Sequence, residues 1–318
     1  MKKVNIYVDF GGNSLKVFKK GEGLILKEPT LVSVKKQNNK LHITAFGKDV
    51  LSKKHPESEV VSLISHGEII NLYLASEFLK NKLGKLFSSA TMPNIYAKVI
   101  VTSALPLHEQ KKYFDVFKMS GFKNIDLLDS SEVIRLSLNP ELKKKNICIV
   151  DLGASKVSVD TFKANHKVCS AMLGIGGKTI ENAIKTLFFE EKFVLSDTVC
   201  EQINKELSSL FEKDIKHLEV SGINHSTNQL ESKTITSKKI YPIYYNFFKE
   251  ISLVIKASVR EFLAKHSNDD IDLIYVIGGL SSTSGLEVFL SKELNIPQIV
   301  IDNNFDNALI LRISQYFD

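Results

Sequence analysis

Two segments of the chain share one grammar of residue types. Asn5 to Phe18 is an apolar run ending in Asp9, a D-x-G turn through Gly11, Gly12 and Asn13, and a second strand-like run. Asn146 to Val159 repeats it with Asp151, Gly153, Ala154, Ser155 and Lys156. In each copy an apolar strand delivers a carboxylate to its C-terminal end, and the glycine two residues later lets the backbone double back into a hairpin. Further small-residue turns follow at Gly174-Ile175-Gly176-Gly177 and at Gly278-Gly279. Small residues at strand ends let backbone N–H groups approach phosphate oxygens, and Asp side chains hold the hydrated Mg2+ that neutralises them. A single D-x-G turn is ordinary turn composition. Two of them, with two glycine-rich turns, point to a nucleoside triphosphate gripped between two domains.

The hydrophobic pattern supplies the elements that must position these turns. Leu24–Leu26, Leu31–Val34 and the alternating Leu41–Thr44 read as strands, and 68–83 as a helix through Ile70, Leu74 and Phe78. Tyr96–Thr102 is a buried-type strand, and His108–Ser120 is a helix stopped by Gly121. In the second half the spacing predicts helices over 179–189, 197–211, 247–265 and 285–294, a hairpin or loop over 221–237, and strands at 273–277 and 298–301. A last helix is expected over 307–317, and the domain boundary near Asn139-Pro140 and the Lys143-Lys144-Lys145 run. The fold class is α/β with mixed sheets.

Composition narrows the function classes. With 318 residues, 43% hydrophobic and 25% charged, the chain is globular and long enough for about two domains. No stretch approaches the ~20 apolar residues of a membrane span. The start turns directly into a strand-like run without an apolar leader, which predicts a cytoplasmic protein. Three cysteines without a CxxC pair (Cys148, Cys169, Cys200) read as core filler, and the eight histidines show no paired ligand spacing. The net charge of +6 is carried by lysines, with arginine only at Arg135, Arg260 and Arg312. Base readers use the planar guanidinium, so no nucleic-acid partner is expected.

Several segments, in one order along nearly the whole chain, resemble the MreB-like bacterial actins of the actin, sugar-kinase and heat-shock-chaperone superfamily. Lys20 to Val32 is similar to that family's K-G-x-G-I-V-L-N-E-P-S-V-V stretch, and Ala45 to Val50 resembles its A-V-G-x-E-A element. Gly174 to Ile184 resembles the V-G-G-D-x-x-D-E-A-I turn and helix, and Leu294 to Val300 the L-P-V-I-V strand. The resemblance implies an actin-like ATPase fold with two ribonuclease-H-like domains around a nucleotide cleft. The first domain would be 1–139, closed by a C-terminal helix 303–318; the second would be 140–302, with a small subdomain near 179–240.

On the same resemblance, Asp9, Gly11, Gly12 and Asn13 form one phosphate loop and Asp151, Gly153, Ala154, Ser155 and Lys156 the other. Asp9 and Asp151 hold Mg2+, and Gly174, Gly176 and Gly177 complete the phosphate side of an ATP or ADP site. Gly278, Gly279 and Leu280 lie beside the adenosine, with Glu201 on the ribose and Asn204 and Lys205 where the family carries a base. The family's water-positioning Glu aligns with Ser130, with Asp129 the nearest substitute. A hydroxyl is a poorer base than a carboxylate, so weak hydrolysis is expected.

Lys80, Lys82 and Lys85 precede Leu86-Phe87 and a polar stretch, the composition of a shallow membrane-insertion loop. A loop folded back into the core is the bland alternative. The leading functional reading is a filament-forming homopolymer that binds an adenine nucleotide and lies peripherally on the inner membrane face. Other actin-like paralogues or membrane morphogenesis proteins would be its further partners. A small-molecule kinase on the same fold and a non-polymerising actin-like adaptor are the competing readings.

Overall fold

The computed structural model describes residues 4–37, 40–52, 58–87, 94–102, 104–213 and 215–302. The chain divides between Lys143 and Lys144 into two compact units. The helix expected over 303–318 lies outside the described residues.

The first unit opens with a meander of β1 (Val4–Phe10), β2 (Ser14–Lys19) and β3 (Gly23–Pro29). A second sheet follows, built from β4 (Leu31–Gln37), β5 (Lys40–Phe46) and, after α1 (Lys48–Ser52), β6 (Glu59–Ser62). A short pair, β7 (Ile64–Ser65) and β8 (Glu68–Ile69), leads into α2 (Leu72–Gly84), β9 (Ile95–Val101), α3 (Leu107–Met119), β10 (Asn124–Asp129) and α4 (Ser130–Ser137). The main sheet runs β10-β9-β1-β2-β3, with β9 parallel to both β1 and β10. Ile6 and Val8 on β1 are fully buried, as the central strand of a covered sheet requires. Phe10 stacks on Phe78 of α2 with ring centroids 6.1 Å apart, and meets Phe117 of α3 edge-on.

The second unit repeats this plan. β11 (Ile147–Leu152), β12 (Val157–Lys163) and β13 (His166–Leu173) form the meander. Then come α5 (Gly177–Glu190), β14 (Phe193–Val194), α6 (Asp197–Leu207), the hairpin β15 (His217–Asn224) and β16 (Gln229–Thr236), and α7 (Ser237–Lys265). β17 (Leu273–Ile277), α8 (Leu286–Leu294) and β18 (Ile299–Ile301) end the described chain. The main sheet runs β13-β12-β11-β17-β18, the order and sense of the first sheet with β17 and β18 in the places of β9 and β10. All three cysteines are buried.

Tertiary packing shifts several element boundaries from the sequence expectation. α2 starts at Leu72, because Asn71 caps it by accepting from the Leu74 amide at 3.0 Å, and Ile70 stays exposed. α6 stops at Leu207: the Leu210 amide donates to Ser284 and the Ser284 amide to Ser208, which draws the chain out of the helix. α7 begins ten residues before its expected start and passes through Pro242. The proline removes one helical hydrogen bond near the helix start. Ile240 and Tyr244, both fully buried, offset it, each side chain worth roughly 1.5–3 kcal/mol on burial.

Candidate functional site

The turn after Asp9 is a four-residue loop. β1 and β2 pair up to Phe10 opposite Leu15, and the Gly11 amide donates to the Ser14 carbonyl at 3.1 Å. Two carbonyls of the loop are occupied from the β3–β4 corner: the Thr30 hydroxyl donates to Gly11 O at 2.9 Å, and the Thr30 amide to Asn13 O at 3.2 Å. The Gly12 and Asn13 amides have no hydrogen-bond partner among the described residues. Capped carbonyls and available amides leave a neutral concavity that favours an anion. Lys16 lies directly across the ladder from Asp9, its Nζ 3.3 Å from Asp9 Oδ2. Strand alternation puts the two side chains on one face, which was the signal available for Lys16 before the structure.

The Asp151 turn has the same backbone. β11 and β12 pair up to Leu152 opposite Val157, and the Gly153 amide donates to the Lys156 carbonyl at 3.0 Å. Here the carbonyls are held by the N-terminus of α5: the Gly177 amide donates to Gly153 O at 3.1 Å and the Lys178 amide to Ala154 O at 2.9 Å. This approach is close enough to require Gly176, whose Cβ would fall 2.6 Å from the Ala154 carbonyl carbon. The Ala154 and Ser155 amides have no partner among the described residues. Lys156 Nζ lies 3.9 Å from Asp151 Oδ2, reaching it from the loop and not from the facing strand position, which Ser158 occupies.

The residues expected around the adenosine separate into two groups. Gly278 has φ of +100° and packs so closely on β11 that a Cβ would lie 2.4 Å from Leu152 O. Gly279 and Leu280 open the 3-10 turn 279–282, with Leu280 buried against Gly177. On α6, Glu201 and Lys205 are exposed while Asn204 points inward. The Asn204 amide donates to Glu181 Oε1 at 3.1 Å and to Gly177 O at 3.4 Å, and its oxygen accepts from the Tyr244 hydroxyl at 2.8 Å. It therefore ties α6 to α5 and α7. Burial pushes the Glu181 carboxyl above its usual range, against the opposing pull of the Asn204 amide. Burial likewise draws the Lys178 ammonium below its ordinary value. Thr30, Glu181 and Tyr244 form no sequence motif and are found only from their contacts.

Asp129 and Ser130 sit where β10 ends and α4 begins. Asp129 caps the helix, its Oδ1 accepting from the Glu132 amide at 3.0 Å and the Ser131 hydroxyl at 2.8 Å. Ser130 is buried, and its hydroxyl has no hydrogen-bond partner among the described residues. At the end of α2, the Leu86 and Phe87 amides both donate to Leu83 O; Leu86 is 38% exposed and Phe87 half-buried. Lys82 is no surface cation: it is buried and pairs with Glu28 at 2.9 Å, while Lys80 pairs with Glu77.

The residues do not fit the expected Mg2+ well. Each aspartate faces a lysine ammonium, and no cluster of three or more His, Cys, Asp or Glu side chains able to hold a metal occurs among the described residues. Cations do not share a carboxylate with an adjacent ammonium without a Coulombic cost.

The cell shape-determining protein MreB of Pasteurella multocida is 21% identical over 312 residues, covering 94% of this chain and 89% of that protein. The cell shape-determining protein Mbl of Bacillus subtilis is 22% identical over 318 residues, covering 96% and 93%. Among solved structures, MreB5 of Spiroplasma citri bound to ADP aligns with a TM-score of 0.81 at 18% identity, covering 100% of this chain and 96% of that one. The fold is thus the actin-like fold of that structure. Over residues 3–311 the sequence matches the model of the MreB/Mbl protein family, and the chain belongs to that family.

Proposed function

We propose that this MreB/Mbl-family chain is a filament-forming, actin-like cell-shape protein that binds an adenine nucleotide and hydrolyses it slowly. The observation that carries the reading is the pair of matched turns at Asp9 and Asp151, each with capped carbonyls, amides left to an anion and a lysine at its edge. Structures of Spiroplasma citri MreB5 bound to ADP and to AMPPNP support the choice of nucleotide. Gly11, Gly12, Asn13 and Gly153 to Lys156 are assigned to the phosphates. Gly174, Gly176 and Gly177 shape the second turn, and Gly278 to Leu280, Glu201 and Lys205 serve the nucleoside. Asn204 acts by holding α5 in place.

Slow hydrolysis rests on Ser130. A buried hydroxyl cannot accept a proton from water at neutral pH as a carboxylate does, and one oxygen of Asp129 is engaged in capping α4. The polymer reading is tested by sedimentation without nucleotide, with ADP and with ATP, alongside calorimetry of each nucleotide. Sedimentation together with measurable binding is expected. A protein that stays in the supernatant under all three conditions is the non-polymerising adaptor instead.

Membrane association at the cytoplasmic face is the finer part of the proposal. No helix among the described residues is long and apolar enough to cross a membrane. Exposed Leu86 beside exposed Lys85 supports a shallow contact. Leu86→Ser with Phe87→Ser should abolish binding to anionic liposomes without lowering the melting temperature. A drop of several degrees with no liposome binding by the wild type would make this segment part of the core.

A further inference from the structure

The 3-10 turn 279–282 in the second unit has two sides. On one, Gly278 packs against Leu152 at the end of β11 and Leu280 against Gly177 at the start of α5, which anchors the turn beside the Asp151 loop. On the other it lines a cavity of about 270 Å3 with Ser281, Ser282 and Thr283, joined by Glu287 of α8 and the ring of Phe211. A Cβ on Gly285 would lie 3.2 Å from each of three ring carbons, Cε1, Cε2 and Cζ, so the Gly285 backbone rests on the face of that ring and not on its edge. The ring is 43% exposed, which leaves its opposite face open. Backbone contacts hold it in place: the Leu210 amide donates to Ser284 O at 2.8 Å, the Ser284 amide to Ser208 O at 3.3 Å, and the Phe211 amide to Ser209 Oγ at 3.1 Å. A fixed aromatic face beside a cavity is a stacking platform for a flat ring. The hydroxyl protons of the turn point inward. Ser281 donates to Gly278 O at 2.6 Å, Ser282 to Gly279 O at 2.9 Å and Thr283 to Leu280 O at 2.8 Å, and the Ser281 and Thr283 amides donate to the Gly278 and Leu280 carbonyls as well. These hydroxyls offer the cavity oxygen lone pairs, and the Glu287 carboxylate offers more.

We propose that this cavity holds the nucleobase, stacked on Phe211, and that its wall of acceptors selects a base with an amino group, adenine, over one with a carbonyl at the same position, guanine or hypoxanthine. The proposal rests on the nucleotide reading above and deepens it by naming the residues that determine specificity. Stacking on Phe211 supplies affinity without choosing the base, since every base has a flat face. The hydroxyl oxygens make the choice. Adenine presents its N6 amino donor where guanine presents the O6 acceptor. An O6 set against hydroxyl oxygens and a carboxylate gives up its water and finds no donor, which is how a polar site rejects a ligand of the same shape. Glu287 also repels phosphate, so charge sets the direction of the nucleotide: base in the cavity, phosphates toward the amides of the Asp151 loop.

The test is calorimetry of the full chain with ATP, GTP, ITP and N6,N6-dimethyl-ATP, for the wild type, Phe211→Ala, Phe211→Tyr and Ser282→Ala. The wild type should bind ATP at least about tenfold more tightly than the other three, which lack the amino group at that position or its protons. Phe211→Ala should lose about tenfold with every nucleotide, within the range of base–aromatic stacking, and keep the preference for ATP. Phe211→Tyr restores a ring and should bind within a few fold of the wild type. Ser282→Ala, at an exposed position, should narrow the ratio of ATP to ITP affinity severalfold and leave ITP binding unchanged. The ligand series on the wild type decides the acceptor wall even where Phe211→Ala melts too low to measure. A wild type that binds ITP and N6,N6-dimethyl-ATP as tightly as ATP overturns the proposal and leaves the nucleotide reading standing. A folded Phe211→Ala that binds like the wild type overturns it as well. Absence of binding of all four nucleotides by the wild type refutes the nucleotide reading and this proposal together.

Discussion

The turns at Asp9 and Asp151 share a backbone and differ in what supports it. Both are four-residue loops closed by a glycine amide on the fourth residue's carbonyl, at 3.1 and 3.0 Å, at the end of equivalent strands in sheets of equivalent order. In the first, one buried residue, Thr30, caps two carbonyls with its hydroxyl and amide. In the second, the N-terminus of α5 caps them, which demands the close approach of Gly176. The lysines differ too, Lys16 coming from the opposed strand and Lys156 from the loop. The hairpin therefore fixes where the amides and the carboxylate lie. The remaining requirement, that the carbonyls be satisfied, can be met in more than one way.

This difference predicts unequal failure. Gly176→Ala places a Cβ 2.6 Å from Ala154 backbone, where neither partner is a flexible side chain. It should cost about 2–3 kcal/mol in urea unfolding, the range for forced overpacking. A loss under about 0.5 kcal/mol would show that α5 can retreat from the turn, and the close-approach argument would be lost.

Next in size is the end of β10, two strands from β1 in the same sheet. Ser130→Glu should raise ATP turnover by up to ~10²-fold if proton acceptance is the missing element. Turnover unchanged by the substitution would place the limitation elsewhere, and a fast wild type would remove the premise.

Thr30→Val keeps the shape and the amide but loses the hydroxyl bond to Gly11 O, for an expected cost of about 1 kcal/mol. A loss as large as that of Gly176→Ala would make the two supports energetically alike and undo the contrast.

The smallest effect concerns pH. Glu181, on the helix that supports the second turn, has a carboxyl raised chiefly by burial. A group raised on folding contributes stability that is fully present below the ordinary Glu value and is lost as pH rises through the raised one. Glu181→Gln should remove that slope from a stability-against-pH curve while its oxygen still accepts from Asn204. An identical curve in the variant would mean that burial exacts no charge penalty there.

Much of the site was legible because it is local. The D-x-G turns follow from an apolar strand, an acid and a glycine within a few consecutive residues, and the register of both hairpins then places the carboxylates. Helix ends were less legible, since α2, α6 and α7 are set by Asn71, Ser284 and the burial of Ile240 and Tyr244. Asn204 shows the same limit. Aligned with a basic position, it proves to be an inward amide shared by Gly177, Glu181 and Tyr244.

What the sequence alone determined is the repeated pattern: two strand-turn-strand units, their acids, their glycines and the α/β class, all of which depend on neighbours a few residues apart. What only the tertiary structure decided is what those groups touch. Thr30 reaches Gly11 from 19 residues away, and the Asn204 amide reaches Gly177 from 27 residues away. Contacts of that span depend on how strands and helices pack around the core, which no local window of residue types encodes. The Lys16–Asp9 and Lys156–Asp151 pairs lie between these extremes: the residues are near in sequence, but only the hairpin shows that two differently placed lysines reach equivalent carboxylates.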